Sequence, residues 1–149
     1  MTKTTNRANG QPCAALRPLS AQAYRQGLTP DPRRLGSVRR ILAAYIHRWG
    51  WPELIDAAVM CATEMLANVH HHAGGDCVLL LEATTHGVRI TVTDTSAELP
   101  EVRQPDWCSD SGRGMWMLSH TAHAWGAVVT PTGKDVWVEL RPSTEQVAA

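Results

Sequence analysis

Glu64 and Asn68 are the first residues whose types and spacing could carry out chemistry. They lie four positions apart in the segment EMLANVHHH, so on a helix they share one face. An Asn carbonyl oxygen is a hard ligand that suits Mg²⁺, which also takes phosphate oxygens and water. A Glu one turn away could accept a proton from water or from a hydroxyl nucleophile. The alternative is an ordinary solvated face, since amphipathic helices routinely have one.

Asp94 is the second candidate, and it ends a segment whose side chains alternate. Val88, Ile90 and Val92 point to one side of a strand, and Asp94 shares that side, which we expect to be buried. A buried carboxylate is costly unless it has a partner. Asp94 either caps the turn that follows or accepts a hydrogen bond from the exocyclic amine of a purine.

The third candidate is the sequence Gly112-Arg113-Gly114-Met115, which follows a long polar segment. Two glycines at the start of a helix let backbone N–H groups approach an anion, and the helix dipole favours a phosphate there. A turn or a helix cap without any ligand is the alternative interpretation.

Several elements are expected to position these residues. Asp31-Pro32 is typical of a helix start, and apolar residues at three-to-four spacing follow in two successive segments. The pattern predicts an edge strand over 21–28, helices over 31–50, 52–73 and 112–122, strands over 77–84, 88–94, 124–130 and 135–140, and a lid loop over 95–111.

This order of elements predicts an α+β two-layer sandwich, in the wider sense an α/β fold. A mixed, mainly antiparallel sheet would be covered on one face by about three helices, with the lid loop over the site. We expect one domain over residues 16–141, a disordered tail over 1–15 and a loose tail over 142–149.

Composition narrows the class of partner. Fourteen Lys and Arg residues balance 14 Asp and Glu residues, giving a formal net charge of zero, which argues against nucleic acid or an anionic membrane as a partner. The four cysteines form no C-x-x-C pair, and we see no signal peptide and no long apolar run. A cytoplasmic protein with reduced thiols is the expectation.

As an ordered set, these motifs resemble the asparagine box and the two glycine boxes of the Bergerat-fold (GHKL, histidine kinase-like) ATPases. Within that superfamily the chain resembles the stand-alone anti-sigma-factor serine kinases common in actinobacteria. The resemblance covers about residues 30–140, and the segments that carry it are EMLANVHHHA, DTSAELP, SGRGM, WG and GKDVW.

The resemblance implies a role for each motif. Asn68 would hold Mg²⁺ against the phosphates of ATP, and Glu64 would be the general base that activates a serine on a partner protein. Asp94 would read the adenine. The other nucleotide-binding residues implied by the match are Gly112, Arg113 and Gly114 in the lid, together with His72, Ser96, Met115 and Lys134.

The chain also departs from the pattern of that family. Ser96 stands where a glycine usually follows the adenine-reading Asp, and Asp135 stands where Ser or Thr often follows Gly-Lys. A carboxylate near phosphates would repel them unless it turns away. His70 and His71 replace the usual apolar and basic residues, and a neutral histidine lacks the charge of an arginine.

Three functions are compatible with these features. The first is an ATP-dependent serine kinase that binds a sigma factor or an anti-sigma-factor antagonist, as an implied homodimer. The second is a nucleotide-binding interaction module with weak or no kinase activity. The third is a catalytic fragment of a sensor histidine kinase, which we disfavour because no phosphoacceptor helix precedes the first helix in this sequence.

Overall fold

The computed structural model describes residues 22–72, 74–100, 102 and 113–143, with only the backbone described for Arg113. The predicted tail over 1–15 lies outside these residues, as do most of the predicted loose tail over 142–149, Gly112 and most of the predicted lid.

Five strands and three α-helices make up the described fold. The sheet order is β1-β2-β3-β5-β4, and every neighbouring pair is antiparallel. This arrangement confirms the two-layer α+β prediction, although the sheet is antiparallel throughout its described part instead of mixed. The elements are β1 (Ala23–Leu28), α1 (Gly36–Arg48), α2 (Ile55–His72), β2 (Cys77–Thr84), β3 (Gly87–Asp94), α3 (Arg113–Thr121), β4 (Ala124–Thr130) and β5 (Gly133–Leu140).

The predicted cap at Asp31 is present, but α1 begins later than the sequence suggests. The Asp31 carboxylate accepts a hydrogen bond from the backbone N–H of Arg33 at 3.0 Å and starts a short 3₁₀ turn over Pro32–Arg34. Leu35 then leaves helical geometry, with φ −85° and ψ 2°, before α1 starts at Gly36. Asp31-Pro32 therefore starts a 3₁₀ turn that leads into α1.

The buried face of α2 is wider than the apolar stripe that helical spacing predicts, which is Ile55, Val59, Ala62, Leu66 and Val69. Ala62, Leu66 and Val69 are buried as predicted and Ile55 and Val59 are half-buried, whereas Cys61 and Met65 are buried beside the stripe. The reason is that α2 packs against α3 as well as against β3 and β5. The face that carries Glu64 is consequently covered in part by another helix and is not simply solvated.

The last hairpin has a shorter turn than the sequence predicts. The predicted strands over 124–130 and 135–140 leave 131–134 for the turn, but β5 begins at Gly133, so that only Pro131 and Thr132 form the turn. Gly133 lies so close to the end of β3 that a Cβ there would overlap the Asp94 carbonyl oxygen. The glycine thus lets β5 pair with β3 through Lys134, the cross-strand partner of Asp94.

Candidate functional site

Asp94 lies at the end of β3 and is only 4% exposed, as the alternation predicts. One carboxylate oxygen, Oδ1, accepts the backbone N–H of Ser96 at 2.8 Å, which forms a tight turn directly after the strand. A buried carboxylate needs such partners, because removing it from water without compensation is expensive.

Lys134 is the second partner of this carboxylate. Its Nζ lies 3.0 Å from Asp94 Oδ1 and 2.9 Å from Oδ2, and it also donates to the Ser96 carbonyl at 3.2 Å. Both side chains of this pair are at least nine-tenths buried. Removing one partner of such a pair typically costs about 3–5 kcal/mol, because the other charge is left uncompensated.

The carboxylate at Asp135 belongs to the other side of the sheet. Neighbouring residues in a strand point to opposite faces, so Lys134 faces Asp94 while Asp135 faces Thr93. Thr93 Oγ1 donates to Asp135 Oδ1 at 2.5 Å. Asp135 therefore points to the sheet face opposite Asp94. Its carboxylate does not repel the phosphates of a ligand bound on the Asp94 side.

Glu64 lies on α2 directly against the start of α3. A Cβ at Gly114 would overlap the Glu64 carboxylate oxygen Oε2, so the glycine leaves room for this carboxylate against the start of α3. Glu64 is half-buried. The structure thus brings a carboxylate to the helix start that the sequence marked as a phosphate-binding element.

The remaining candidate residues lie on α2, on α3 and directly after β3. Asn68 is half-buried and lies one turn after Glu64 on α2, whereas His72 is exposed at the end of that helix. Met115 is buried in α3 and Ser96 is half-buried after β3. Arg113 is the first residue of α3, and Gly112 lies outside the described residues.

Two buried thiols have raised pKa values, mainly because they are removed from water. Burial, together with the negative charge of Glu64, raises the pKa of Cys61 to about 12. Burial also raises the pKa of Cys77 to about 12, with contributions from Asp94 and then Asp76. Both thiols are therefore protonated at neutral pH and are unsuited to act as nucleophiles.

No three His, Cys, Asp or Glu side chains of the described residues cluster in a way that could hold a metal ion. A cation at this site would depend on few protein ligands and on oxygens of a bound molecule, which is how Mg²⁺ is commonly held. A separate cavity of about 590 Å³ lies beside the 3₁₀ turn and the end of α2, and Glu64, Asn68, Asp94 and Gly114 do not line it.

The family comparison agrees with this arrangement. Residues 28–140 match the family model described as the histidine kinase-like ATPase domain, which is well over half of the chain. The chain belongs to the histidine kinase-like ATPase family. A comparison with curated proteins found no match.

The family is one of nucleotide-binding domains, and two observations in this ATPase domain fit a nucleotide. Among the described residues, Asp94 Oδ2 accepts only from Lys134, which leaves acceptor capacity for a ligand amine. Gly114 keeps the start of α3 free of a side chain. None of the described helices of this ATPase domain is long and apolar enough to cross a membrane.

Sequence reasoning missed two relationships in this ATPase domain. The pairing of Asp94 with Lys134 joins residues 40 positions apart, and no periodicity signals it. The contact between Gly114 and Glu64 is equally non-local. The pairing of Asp94 with Lys134 could have been found only from the register of the β3–β5 pair. That register depends on where β5 begins, and the turn-like composition of 131–134 hid the start of this strand.

Proposed function

We propose that this domain binds ATP with Mg²⁺ and is a serine/threonine protein kinase whose substrate is an anti-sigma-factor antagonist. In this proposal the protein is a cytoplasmic anti-sigma factor, acts as a homodimer and regulates transcription through its partner. The family match over residues 28–140 and the ordered motifs at Glu64, Asn68, Asp94 and Gly114 support it.

The observation that carries the kinase assignment is the position of Glu64 against the start of α3. A general base must lie within hydrogen-bonding reach of the hydroxyl that it activates, near the group being transferred. The start of α3 is where backbone N–H groups favour phosphate oxygens. Glu64 therefore stands beside the expected position of the phosphates, and its carboxylate accepts the proton of an attacking serine hydroxyl.

The nucleotide and its metal would be held by residues on α2, β3 and α3. Bound ATP would supply its γ-phosphoryl group to the serine oxygen and leave as ADP, and Mg²⁺ would neutralise the phosphate charge. Asn68 would hold the metal through its amide oxygen, one turn from Glu64. Asp94 would accept a hydrogen bond from the exocyclic amine of the adenine, and Arg113 and Met115 would lie on the phosphate side.

Three further positions complete the proposed site. Ser96 lies two residues after Asp94, at the adenine-binding end of the proposed site, and its backbone N–H donates to the Asp94 carboxylate. Gly112 would contribute a backbone N–H to the lid, directly before α3. The exposed His72 at the end of α2 would contact the phosphates from solvent.

Calorimetry and phosphotransfer together test the proposal. We expect ATP to bind in a Mg²⁺-dependent manner, and Asp94→Asn and Asn68→Ala each to weaken binding. With γ-labelled ATP and the candidate antagonist proteins of the same genome, label should transfer to a serine, and Glu64→Gln should abolish transfer while ATP still binds.

The results of this test separate the proposal from its rivals. Tight ATP binding without transfer to any antagonist would assign the chain as a nucleotide-dependent interaction module. Label on one of its own histidines would assign histidine kinase chemistry. Transfer that survives Glu64→Gln would remove Glu64 from the role of base.

A further inference from the structure

The hydrogen-bonding capacity of Asp94 is almost fully used within the protein. A carboxylate offers about four lone-pair directions. Oδ1 accepts from the Ser96 N–H at 2.8 Å and from Lys134 Nζ at 3.0 Å, and Oδ2 accepts from Lys134 at 2.9 Å. Among the described residues, these contacts leave one direction, on Oδ2, to accept from a ligand.

Lys134 is held as firmly as the carboxylate. Its side chain is 7% exposed, and Nζ is also bonded to the Ser96 carbonyl at 3.2 Å. An ammonium held in this way does not extend into solvent toward a phosphate. Its contacts are instead with the carboxylate and the turn that form the base-reading end of the site.

The contacts with Ser96 and Lys134 fix the orientation of the Asp94 carboxylate. The terminal torsion of an Asp side chain has a broad preference and does not fix the carboxylate by itself. The Ser96 N–H and Lys134 Nζ bind the carboxylate from two sides, so that the remaining lone pair of Oδ2 always points in the same direction.

We propose that Lys134 is a positioning residue for base recognition: it fixes the Asp94 carboxylate so that one Oδ2 acceptor is presented to the exocyclic amine of a purine. This inference rests on the proposed function, since it requires that the domain binds a purine nucleotide. Its consequence is that preference for a 6-amino purine depends on Lys134, although Lys134 need not touch the base.

The test compares two nucleotides that differ only in this amine. Dissociation constants are measured by calorimetry for ATP and for purine riboside triphosphate, which lacks the 6-amine. A hydrogen bond to a charged acceptor corresponds to a preference for ATP of about 10- to 150-fold, which we expect in the wild type. In Lys134→Met we expect the preference to fall to about 3-fold or less, and in Lys134→Arg to be largely restored.

Arg89→Met is the matched control. Arg89 also forms an ion pair from a mostly buried side chain, with Glu139 at 3.1 Å, but it lies on the sheet face opposite Asp94. This variant loses a comparable interaction and should keep the wild-type preference. Melting curves without nucleotide show how much each substitution destabilises the fold.

Several outcomes would overturn the inference. An unchanged preference in Lys134→Met, or an equal loss of affinity for both nucleotides, would mean that Lys134 only stabilises the fold. If Lys134→Met does not fold, Lys134→Gln is measured instead. Its side chain is one atom shorter and neutral, so it should hold the carboxylate less firmly and the preference should fall; an unchanged preference overturns the inference. A wild-type domain that binds neither nucleotide would refute the proposed function itself, whereas binding with an unaltered preference refutes only the role of Lys134.

Discussion

Gly114 and Glu64 lie in such close contact that residue 114 has room for a hydrogen but not for a methyl group. The atom that a Cβ would meet is the end of a flexible side chain, not backbone. A larger residue at 114 would therefore displace the Glu64 carboxylate before it displaced a helix. Stability and catalysis should respond differently to a change at this position.

Gly114→Ala tests that separation. Alanine is favoured over glycine within a helix by up to about 1 kcal/mol, so we expect the free energy of unfolding to change by no more than about this amount. Phosphotransfer should fall by about 100-fold, because a shift of about 1 Å in a reacting group can cost that much. Gly36→Ala, at the start of α1 where a Cβ would make only an ordinary contact with Arg40, is the control and should leave phosphotransfer unchanged.

Gly133→Ala should behave in the opposite way. The Cβ would overlap the backbone carbonyl of Asp94, and backbone in the centre of a sheet cannot move cheaply. We expect a loss of at least about 2 kcal/mol, seen as a fall in Tm of at least about 4 °C, together with weaker ATP binding. Gly75→Ala, where nothing lies within 4 Å of the new Cβ, should melt like the wild type, and equal melting of both variants would contradict this packing.

Cysteine labelling tests the burial of Cys61 and Cys77. Because the pKa of Cys61 and of Cys77 is raised to about 12, the thiolate fraction of each at pH 8 is about 1 in 10,000. In a Cys13→Ser, Cys108→Ser background, iodoacetamide should label the native protein at least about 100-fold more slowly than the denatured chain. Rapid labelling of the native protein would show that these thiols are not buried beside the carboxylates.

The cap at Asp31 should give a pH-dependent contribution to stability. The hydrogen bond from the Arg33 backbone, aided by the charges of Arg33 and Arg34, lowers the pKa of Asp31 below 3.8. Its contribution is therefore fully present above pH 3.8 and is lost as the pH falls through the lower folded-state value.

Asp31→Asn is the variant that isolates this effect. Asparagine caps helices about as well as aspartate but does not titrate. Thermal melts from pH 7 to pH 2.5 should show the wild type losing stability relative to Asp31→Asn only at the acid end. A constant difference over this range would mean that the carboxylate charge does not contribute.

Local signals in the sequence were sufficient for most of the fold. The alternation from Val88 to Asp94 predicted both the strand and the burial of Asp94, and the Asp31-Pro32 pair predicted the start of a helical segment. These predictions were correct because helix capping and side-chain alternation depend on only a few neighbouring residues. The predicted start of β5 was wrong because Pro131 and its neighbours have the composition of a turn. Gly133 belongs to the strand, and a glycine is required there because β5 lies close to the backbone of β3.

The candidate site was predicted less completely, for a related reason. Glu64, Asn68 and Asp94 could be selected by type and spacing along their own elements. The contacts of Glu64 with Gly114 and of Asp94 with Lys134 depend on how α3 and β5 pack against α2 and β3. Such contacts depend on the register and approach of distant elements, which a single sequence does not state.

The opposite orientations of Lys134 and Asp135 also bear on how the chain finds its native strand pairing. A slip of one residue between β3 and β5 would exchange the two faces of β5. Asp135 would then stand on the side of Asp94, carboxylate against carboxylate, and Lys134 would lose its partner. The neighbouring charges therefore penalise the misregistered sheet during folding, so that Asp94 and Lys134 also select the correct register of the β3–β5 pair.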